Sequence, residues 1–437
     1  MLLKELPHTA DYITFDEEEK IDKFIKLTTQ EIKKRKSLFA AQNAMNFKMY
    51  NNNSANKIPA ILVLIDNYDV VREIGMEFEA FITKLTRDGV GVGIYTVIDA
   101  SRSSAVKYSV LSNFKNKITH YMFDPSDAIS VVGRSKYSLP EVKGRALVKL
   151  NEVCVMQCYL PVLYENDDQY ADAISKVVKT IARENTAAGP KGIPMLPEFV
   201  TYQDIYDESL LNDKKLPIGL DTEDVMVQAL DLSVPTHVIV GPPQSGKTNI
   251  IKIACQAFHN NKIFISDTRA MELSQLSGNE MVTYMNTEDQ LDTFLCHLEE
   301  EVQKREQEYE MNRGTITLKE FCERQPAVLI LIDDGDYFVE ITKSQAKRAE
   351  EVLKKAIEYG VTIITATVPG KLRGFDNTTK LLKDTQSGVV LGNPAEQTMF
   401  MLPPIRGYKP QVEKGFLCHR GQTIAVQIPI MYQGDSL

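Results

Sequence analysis

The sequence predicts an α/β protein in which a mainly parallel sheet is flanked by helices. Three observations predict this fold class. Short β-branched runs alternate with helical segments, a glycine-rich loop joins one of these runs to a helix, and one block of sequence occurs twice. The repeat indicates two modules in tandem, and the first of them is incomplete.

The chain has 437 residues, a length that suits two or three domains. Hydrophobic residues make up 43% of it and charged residues 25%, so each domain has enough apolar side chains to form a core. The formal net charge is -9, whereas nucleic-acid-binding proteins usually carry a basic surface. DNA is therefore not expected to be the main partner.

The six cysteines and six histidines show no paired metal-binding spacing. We expect the cysteines, including Cys154 and Cys158 in a predicted strand, to be buried free thiols in a reducing compartment. No signal peptide opens the chain, and no apolar run approaches the roughly 20 residues that span a bilayer. These features predict a soluble, intracellular chain and leave open a membrane anchor elsewhere in a longer parent.

The second half of the chain contains short apolar runs that are rich in β-branched residues, and such runs predict strands. The predicted strands are His237–Val240, Lys262–Ser266, Val328–Ile332, Val361–Ala366 and Gly388–Leu391. Helical segments separate them. This alternation is typical of a mainly parallel sheet with helices on both faces.

A complete phosphate-binding motif, G-x-x-x-x-G-K-[ST], follows the first of these strands. It reads Gly241-Pro242-Pro243-Gln244-Ser245-Gly246-Lys247-Thr248 and leads into a predicted helix, Thr248–Phe258. Backbone N–H groups and the helix N-terminus would surround a phosphate, Lys247 would contact phosphate oxygens, and the Thr248 hydroxyl would bind Mg²⁺. The motif predicts a P-loop NTPase of the RecA-like type with ATP and Mg²⁺ as cofactors; a glycine-rich turn without ligand is the alternative.

Two acidic residues follow the apolar strand Val328–Ile332. Asp333 stands at the position of a second Mg²⁺ ligand, and Asp334 stands where related motors carry a glutamate that activates water. Aspartate is one methylene shorter, and a misplacement of roughly 1 Å can cost about 100-fold in rate. We therefore predict ATP binding with slow hydrolysis, in which Lys247 and Asp334 are the catalytic residues. Strand-end acids that only cap a turn are the alternative.

Two further features concern the predicted site and its surroundings. Thr365 or Thr367, at the end of the following predicted strand, is a candidate polar sensor for the γ-phosphate, and any arginine finger would come from another module or subunit. The charged helix at residues 296–311 is interpreted as a solvated face, with a partner surface as the alternative.

The repeated block reads IPAILVLIDNYD at residues 58–69 and QPAVLILIDDGD at residues 325–336. Upstream of each copy a long charged helix is predicted, at residues 21–39 and 291–311. Asp66 of the first copy keeps the metal-type position, but Asn67 replaces the second acid and cannot act as a general base.

The downstream flanks also match, since residues 91–96 (GVGIYT) align with residues 360–365 (GVTIIT). Only the second copy is preceded by the strand, phosphate loop and helix. We interpret residues 1–185 as the non-catalytic, C-terminal part of a module that is truncated or naturally degenerate. The Pro/Gly-rich residues 186–197 form a linker, and residues 198–437 form a complete module.

Taken together, these features resemble the FtsK/SpoIIIE group of P-loop ATPases. More narrowly, the chain resembles the last two ATPase modules of the type VII secretion ATPase, called EssC in Firmicutes and EccC in mycobacteria. The resemblance covers essentially the whole chain. It rests on the lead-in Leu216–Asp221, the segment Leu232–Gly241, the two Ile-Asp-Asp/Asn strand ends and the tandem arrangement.

The resemblance implies that Gly241–Thr248 form the Walker A segment and Asp333 with Asp334 form Walker B. It further implies a membrane-anchored motor on the cytoplasmic side of the cell membrane, a hexamer in its full-length form. Such a motor works with other membrane subunits and exports small helical WXG-type proteins.

Three functions follow as hypotheses. The first is an ATP-binding, weakly hydrolysing module of a secretion motor. The second is a non-hydrolysing, nucleotide-gated module on which export substrates dock. The third is an FtsK-like DNA translocase, which predicts a basic tail domain that this sequence lacks.

Overall fold

The computed structural model of the protein describes residues 3–164, 166–185, 189–402 and 408–431. The chain forms two compact units, which divide between Ile193 and Pro194. This division falls inside the predicted linker at residues 186–197, of which residues 186–188 lie outside the described residues. The two units are called unit 1 and unit 2 below.

Within its described residues, unit 1 contains seven α-helices and two small sheets. Its helices are α1 (Glu18–Ala41), α2 (Phe47–Asn53), α3 (Val71–Ile74), α4 (Met76–Asp88), α5 (Tyr108–Leu111), α6 (Pro125–Val132) and α7 (Asp167–Glu184). Its strands are β1 (Ile61–Ile65), β2 (Ile94–Ile98), β3 (Lys117–His120), β4 (Arg145–Lys149) and β5 (Val153–Gln157).

Unit 2 is built on one large sheet. Its helices are α8 (Tyr202–Ile205), α9 (Glu208–Asn212), α10 (Lys247–Ala257), α11 (Leu291–Asn312), α12 (Leu318–Arg324), α13 (Gly335–Ile341), α14 (Ala346–Glu358) and α15 (Asn377–Lys383). Its strands are β6 (Lys215–Asp221), β7 (Val227–Asp231), β8 (Thr236–Val240), β9 (Lys262–Ser266), β10 (Val282–Met285), β11 (Val328–Ile332), β12 (Thr362–Thr367), β13 (Ser387–Leu391), β14 (Lys414–His419) and β15 (Gln422–Gln427).

The strand order in unit 2 is β10-β9-β11-β12-β8-β13-β14-β15-β6-β7. The strands from β10 to β13 pair in parallel, and the remaining pairs are antiparallel. The predicted α/β fold with a mainly parallel sheet is confirmed. The antiparallel extension from β14 to β7 is an addition that the strand pattern did not predict.

Helices cover both faces of the parallel part of this sheet, which explains why the central strands are apolar throughout. On one face, Leu329 and Leu331 of β11 and Ile364 of β12 share a buried core with the apolar side of α10. On the other face, Ile330 and Ile332 of β11 pack with residues of α11 and α14. Every residue of β11 is consequently buried.

Unit 1 has a two-stranded parallel sheet, β1-β2, and a separate three-stranded antiparallel sheet, β3-β4-β5. In the two-stranded sheet Ile61 pairs with Ile94, and in unit 2 Leu329 pairs with Thr362, so the two pairs have the same sequence separation. By this register Gly93, with φ 80°, is the counterpart of Gly360, with φ 78°.

This register corrects the predicted alignment of residues 91–96 with residues 360–365, which is displaced by two residues. Residues 93–98 are the true counterparts of residues 360–365. The sequence match was misleading because unit 1 inserts a 3₁₀ turn, Val90–Val92, between α4 and β2.

Each unit contains a buried arginine in the same place on its long helix. Arg35 of α1 donates to Glu31 four residues earlier and to the Val92 carbonyl just before β2. Arg305 of α11 likewise donates to Glu301 and to the Tyr359 carbonyl before β12. The prediction that the charged helix at residues 296–311 is simply a solvated face is therefore wrong for Arg305 and Glu301, because backbone carbonyls and a carboxylate replace water around the guanidinium.

All six cysteines are free thiols, but the expectation that they are all buried is wrong. Cys255 and Cys418 are buried, whereas Cys154 is exposed because it lies on β5, the outer strand of the small antiparallel sheet. Among the described residues, no helix combines the length and hydrophobicity of a transmembrane span.

Candidate functional site

The phosphate loop of residues 241–246 joins β8 to α10 and has the tight backbone that the motif predicts. A Cβ atom on Gly241 would lie 2.4 Å from the Ser245 Oγ, so only glycine fits there. Gln244 and Gly246 have φ values of 60° and 97°, in the left-handed region. The Ser245 N–H donates to the Pro242 carbonyl at 3.3 Å, and the left-handed residues on either side of it give the loop the curved backbone typical of phosphate-binding loops.

Helix α10 starts at Lys247, one residue earlier than predicted. Its N-cap residue is Gly246, which has no side chain to accept hydrogen bonds from the first turn. The first N–H groups of a helix without such a cap are available to an anion, which the helix dipole also favours. The first turn of α10 therefore adds uncapped helix N–H groups directly after the loop.

Lys247 reaches back across the start of the loop. Its Nζ donates to the carbonyl oxygens of Gly241 at 3.0 Å and Pro242 at 2.8 Å. An ammonium group has three N–H donors, so one remains for a ligand. Burial lowers the pKa of Lys247 from its ordinary value, and the nearby Asp333 and Asp334 carboxylates oppose that shift.

Thr248 and Asp333 meet directly. The Thr248 Oγ1 donates to one Asp333 carboxylate oxygen at 2.9 Å, although the two residues are far apart in sequence. They meet because β8 and β11 are parallel strands of one sheet, separated only by β12, so their carboxyl ends lie at the same edge. Sequence reasoning paired these two residues as metal ligands, and the structure brings them together.

Asp333 is almost fully buried, with 3% of its surface exposed. Burial raises the pKa of its carboxyl to about 7, the hydrogen bond from Thr248 lowers it, and the nearby acids Asp267 and Glu272 raise it further. A carboxylate held in this environment gains strongly from a cation, because positive charge offsets both the burial and the neighbouring negative charges.

Four buried polar atoms of the loop and the strand ends have no hydrogen-bond partner within the described residues: the Ser245 Oγ, the Ser266 Oγ, the second Asp333 carboxylate oxygen and the Thr365 Oγ1. Ser266 and Thr365 are in register with Ile332 and share its side of the sheet, opposite α10, so the atoms that belong to the site are those of Ser245 and Asp333. A buried polar atom without a partner costs about 1–3 kcal/mol, so this pair indicates a ligand. Oxygen atoms are also the ligands that Mg²⁺ prefers, and the residues present therefore fit a magnesium–nucleotide group.

Asp334 performs a different task from its neighbour. One of its carboxylate oxygens accepts from the backbone N–H groups of Asp336 at 3.0 Å and Tyr337 at 3.1 Å, which makes it the N-cap of α13. The carboxylate is close enough to Lys247 to oppose the lowering of that residue's pKa by burial. Asp334 is therefore next to the site, but one of its two oxygens is committed to the helix.

The two candidate sensor threonines differ in their surroundings. Thr365 is buried, and its hydroxyl is one of the four unpartnered atoms. Thr367 donates to Asp336 at 3.4 Å. Thr365 is in register with Ile332 on the sheet face opposite α10, whereas Thr367 pairs with Val240 at the start of the loop, so the geometry singles out neither threonine for contact with a ligand.

Sequence reasoning missed Ser266 and Asp267 at the end of β9. Asp267 is buried and accepts hydrogen bonds from the Leu273 N–H and the Tyr284 hydroxyl, which fixes the loop after β9 beside the site. The signal was available, because polar residues directly after an apolar parallel strand repeat the pattern of Asp333.

Asn249, just after the motif, was also missed. Its side chain donates to the Pro429 carbonyl at 2.7 Å and accepts from the Met431 N–H at 2.8 Å. This pair of bonds ties the segment after β15 to the first turn of α10. No sequence pattern pointed to it, because the two partners are backbone groups.

The counterparts in unit 1 form no such site. Asp66 and Asn67 follow β1 as Asp333 and Asp334 follow β11, but both are exposed. Asn67 has a left-handed backbone, with φ 55°, and its side chain caps no helix.

No family model matches the chain. Among curated proteins, it is 31% identical to the ESX secretion system protein YukB of Bacillus subtilis (strain 168) over 98% of the chain. It is 30% identical to the ESX secretion system protein EccC of Geobacillus thermodenitrificans (strain NG80-2), again over 98% of the chain. In both comparisons the chain spans 29% of the length of the relative.

Solved structures give the same result. EssC (ATPases 2 and 3) from Geobacillus thermodenitrificans matches with a TM-score of 0.83 and 28% identity, over 99% of this chain and 83% of that chain. A structure of the cytoplasmic domain of EssC matches with a TM-score of 0.83 and 29% identity, over 99% of this chain and 86% of that one. Both matches extend through unit 1 and unit 2.

Proposed function

The chain belongs to the EccC/EssC family of type VII secretion ATPases, and from this premise we propose that it is an ATP-binding, slowly hydrolysing module of a secretion motor. Unit 2 binds Mg-ATP in this proposal, and unit 1 binds no nucleotide. The observation that carries it is the 2.9 Å hydrogen bond between Thr248 and Asp333 beside a phosphate loop.

Each residue of the site has a defined task in this proposal. The loop amides and the first turn of α10 bind phosphate oxygens, and Lys247 adds a positive charge there. Thr248 and Asp333 hold Mg²⁺, which when bound neutralises charge on the phosphates. A threonine at the end of β12, Thr365 or Thr367, contacts the terminal phosphate.

The low rate of hydrolysis rests on Asp334. Its side chain is shorter than the glutamate of related motors, and one of its oxygens is held by the first turn of α13. An oxygen that already accepts two hydrogen bonds is a weak base for water. This observation also favours a second candidate, a module that binds nucleotide without hydrolysing it and uses the nucleotide state to control docking of export substrates.

The place of the chain in a whole motor is part of the proposal, because the chain spans 29% of the length of the relatives. By that kinship it acts on the cytoplasmic side of the cell membrane, beside membrane subunits of the secretion machine. It works there within a hexamer and serves the export of small helical WXG-type proteins.

Calorimetry with Mg-ATP, followed by single-turnover hydrolysis of radiolabelled ATP, tests this function. The wild type is expected to bind one nucleotide and to hydrolyse it slowly, and Lys247→Ala is expected to lose both activities. Equal background rates for the two proteins, with binding intact in the wild type, would leave only the docking function. No heat with the folded wild type at millimolar Mg-ATP would refute both.

The Asp334→Glu variant distinguishes two possible causes of slow hydrolysis. One is an acidic side chain that is too short, and the other is a residue that another subunit must supply. The longer side chain is expected to raise turnover, because it restores the distance that the shorter acid lacks. Unchanged turnover, with α13 intact by hydrogen exchange, would mean that an arginine or subunit from outside the chain limits the rate instead.

A further inference from the structure

The segment that follows β12 leaves the sheet between the phosphate loop and the end of β11. Strand β12 lies between β8 and β11 and is parallel to both. Its last residue, Thr367, pairs with Val240, and the Thr367 carbonyl accepts from the Gly241 N–H at 3.1 Å. Residues 368–372, which we call the β12 loop, therefore begin beside the first glycine of the phosphate loop.

The β12 loop starts with a tight turn whose shape its sequence favours. The Lys371 N–H donates to the Val368 carbonyl at 3.0 Å, which closes a four-residue turn. Pro369 and Gly370 occupy the two central positions, and Gly370 has φ 79°. Proline followed by a left-handed glycine at these positions is typical of a type II turn. Lys371 is thus the last residue of a turn with little conformational freedom.

The residue after Lys371 fastens the β12 loop to the segment that follows β11. The Leu372 N–H donates to the Asp336 carboxylate at 2.9 Å. The Leu372 side chain is buried beside Gly335, where a Cβ atom would overlap it. Leu372 has a left-handed backbone, with φ 57°, which a leucine keeps only where its surroundings hold it. From the other side, Lys383 donates to the Leu372 carbonyl at 3.4 Å. The backbone of Lys371 is therefore held between the turn and this anchor.

The Lys371 side chain is exposed, and its charge acts on the phosphate site. Burial lowers the pKa of Lys247, and repulsion from the nearby Lys371 ammonium lowers it further. Two ammonium groups repel each other, and an anion placed between them replaces this repulsion by attraction to both. The two lysines come from different sides of the site, one from the phosphate loop and the other from the β12 loop.

We propose that Lys371 is a second phosphate-binding lysine of unit 2 and contacts the terminal phosphate of the bound nucleotide. This inference rests on the proposed nucleotide binding by unit 2. The lysine of a phosphate loop meets the β- and γ-phosphates, so a second cation close to Lys247 lies near the terminal phosphate. Lys371 therefore makes the site prefer a nucleoside triphosphate to a diphosphate.

The affinities for two nucleotides, measured by calorimetry in Mg²⁺, test this role without relying on hydrolysis. The probes are AMP-PNP, a non-hydrolysable triphosphate, and ADP, which lacks the terminal phosphate. Lys371→Gln is expected to weaken AMP-PNP binding by about 10-fold, because a hydrogen bond between charged groups is lost. ADP binding should stay unchanged, which also verifies that the variant is folded. Lys371→Arg keeps the positive charge and should retain most of the affinity for AMP-PNP.

Two other cations of unit 2 serve as matched controls. Lys380→Gln removes an exposed charge from α15, whose C-terminal end lies at the opposite edge of the sheet, where the Asp384 carbonyl accepts from Thr236. Arg373→Gln removes the neighbouring charge, whose guanidinium lies beside Gly370. Both variants are expected to keep the preference of the wild type for AMP-PNP over ADP.

Three results would overturn the proposal. They are an unchanged preference for AMP-PNP in Lys371→Gln, an equal loss of affinity for both nucleotides in that variant, and a similar loss of preference in either control. The proposed function fails in a different way. A folded wild type that binds neither nucleotide refutes the site itself, whereas a wild type and a Lys371→Gln variant that bind both nucleotides alike refute only the role of Lys371.

Discussion

Unit 1 and unit 2 share a helix, a strand and a second strand in the same register, yet within the described residues only unit 2 forms the candidate phosphate site. The difference lies in β8, β9 and α10, which unit 2 places on both sides of the shared strands. With them, Asp333 is buried and meets Thr248; without them, Asp66 is exposed. The same short motif therefore places a buried acid beside Thr248 or an ordinary surface acid, according to what packs beside it.

The largest expected difference between the units concerns their buried arginines. Arg305→Ala is expected to destabilise unit 2 by about 3–5 kcal/mol, because it leaves Glu301 and the carbonyls of Tyr359 and Pro326 without the guanidinium. Arg35→Ala removes contacts to only Glu31 and the Val92 carbonyl and should cost less, about 1–3 kcal/mol.

Hydrogen exchange of β11 and β1 measures these two losses separately, since the two units need not unfold together. Arg305→Lys is the control, which keeps the charge but not the planar fork of donors. Equal losses in the two units would contradict the view that Arg305 carries the larger network.

The second difference concerns the two strand-end aspartates. Asp333→Ala is expected to weaken Mg²⁺-dependent nucleotide binding by about 10–100-fold, as loss of a group at a metal site typically does. Asp66→Ala, the counterpart in unit 1, should leave the affinity unchanged because that carboxylate is exposed. Titration with a fluorescent ATP analogue, in Mg²⁺ and in EDTA, measures the nucleotide affinity of both variants. If Asp333→Ala weakened binding in EDTA but not in Mg²⁺, a metal-binding role of Asp333 would be contradicted.

The pH dependence of stability sharpens the same comparison in the metal-free protein. Burial raises the pKa of Asp333 to about 7 from an ordinary value of 3.8, so the folded state favours the protonated acid. This stabilisation is complete below pH 3.8 and is lost as the pH rises through 7, with a slope of at most about 1.4 kcal/mol per pH unit.

Urea unfolding in EDTA between about pH 5 and 8 tests this expectation, because Asp333 of the folded protein titrates in this range. The wild type should lose stability relative to Asp333→Asn as the pH rises, because asparagine cannot ionise. Parallel curves for the wild type and Asp333→Asn would rule out the buried acid.

The smallest difference concerns the second residue of each motif. Asp334→Ala is expected to destabilise α13 by about 1 kcal/mol, since an N-cap acceptor is lost, whereas Asp334→Asn keeps the acceptor and should cost little. Asn67→Asp in unit 1 should change nothing, because the Asn67 side chain caps no helix. Thermal unfolding of the three variants measures these effects, and a full loss with Asp334→Asn would assign Asp334 more than a capping role.

Local sequence patterns predicted the features that depend on neighbouring residues. The strand–loop–helix around Gly241–Thr248, the apolar strand before Asp333, the α/β fold and the family resemblance were all accessible in this way, and the last two are confirmed. The roles of the site residues remain predictions.

What the patterns missed depends on packing between distant segments. The burial of Arg305 and Glu301 could not be distinguished from a solvated charged face, because i,i+4 charge pairs look alike in both settings. The two-residue displacement of residues 91–96 arose from a 3₁₀ turn that only the strand register exposes. The capping bonds of Asp334 could likewise not be predicted, because they depend on the direction in which its side chain points.

The strand order of unit 2 has a consequence for its synthesis. During synthesis, β8 leaves the ribosome long before β12 and β13, the two strands with which it pairs. In the same way, β6 is made long before its partner β15. Pairings between segments so distant in sequence form slowly, and they cannot form before the later segment has been translated. The phosphate loop is therefore synthesised before the strands that flank β8, and we expect it to reach its folded conformation late. The strands β1 and β2 of unit 1, in contrast, can pair before unit 2 has been translated.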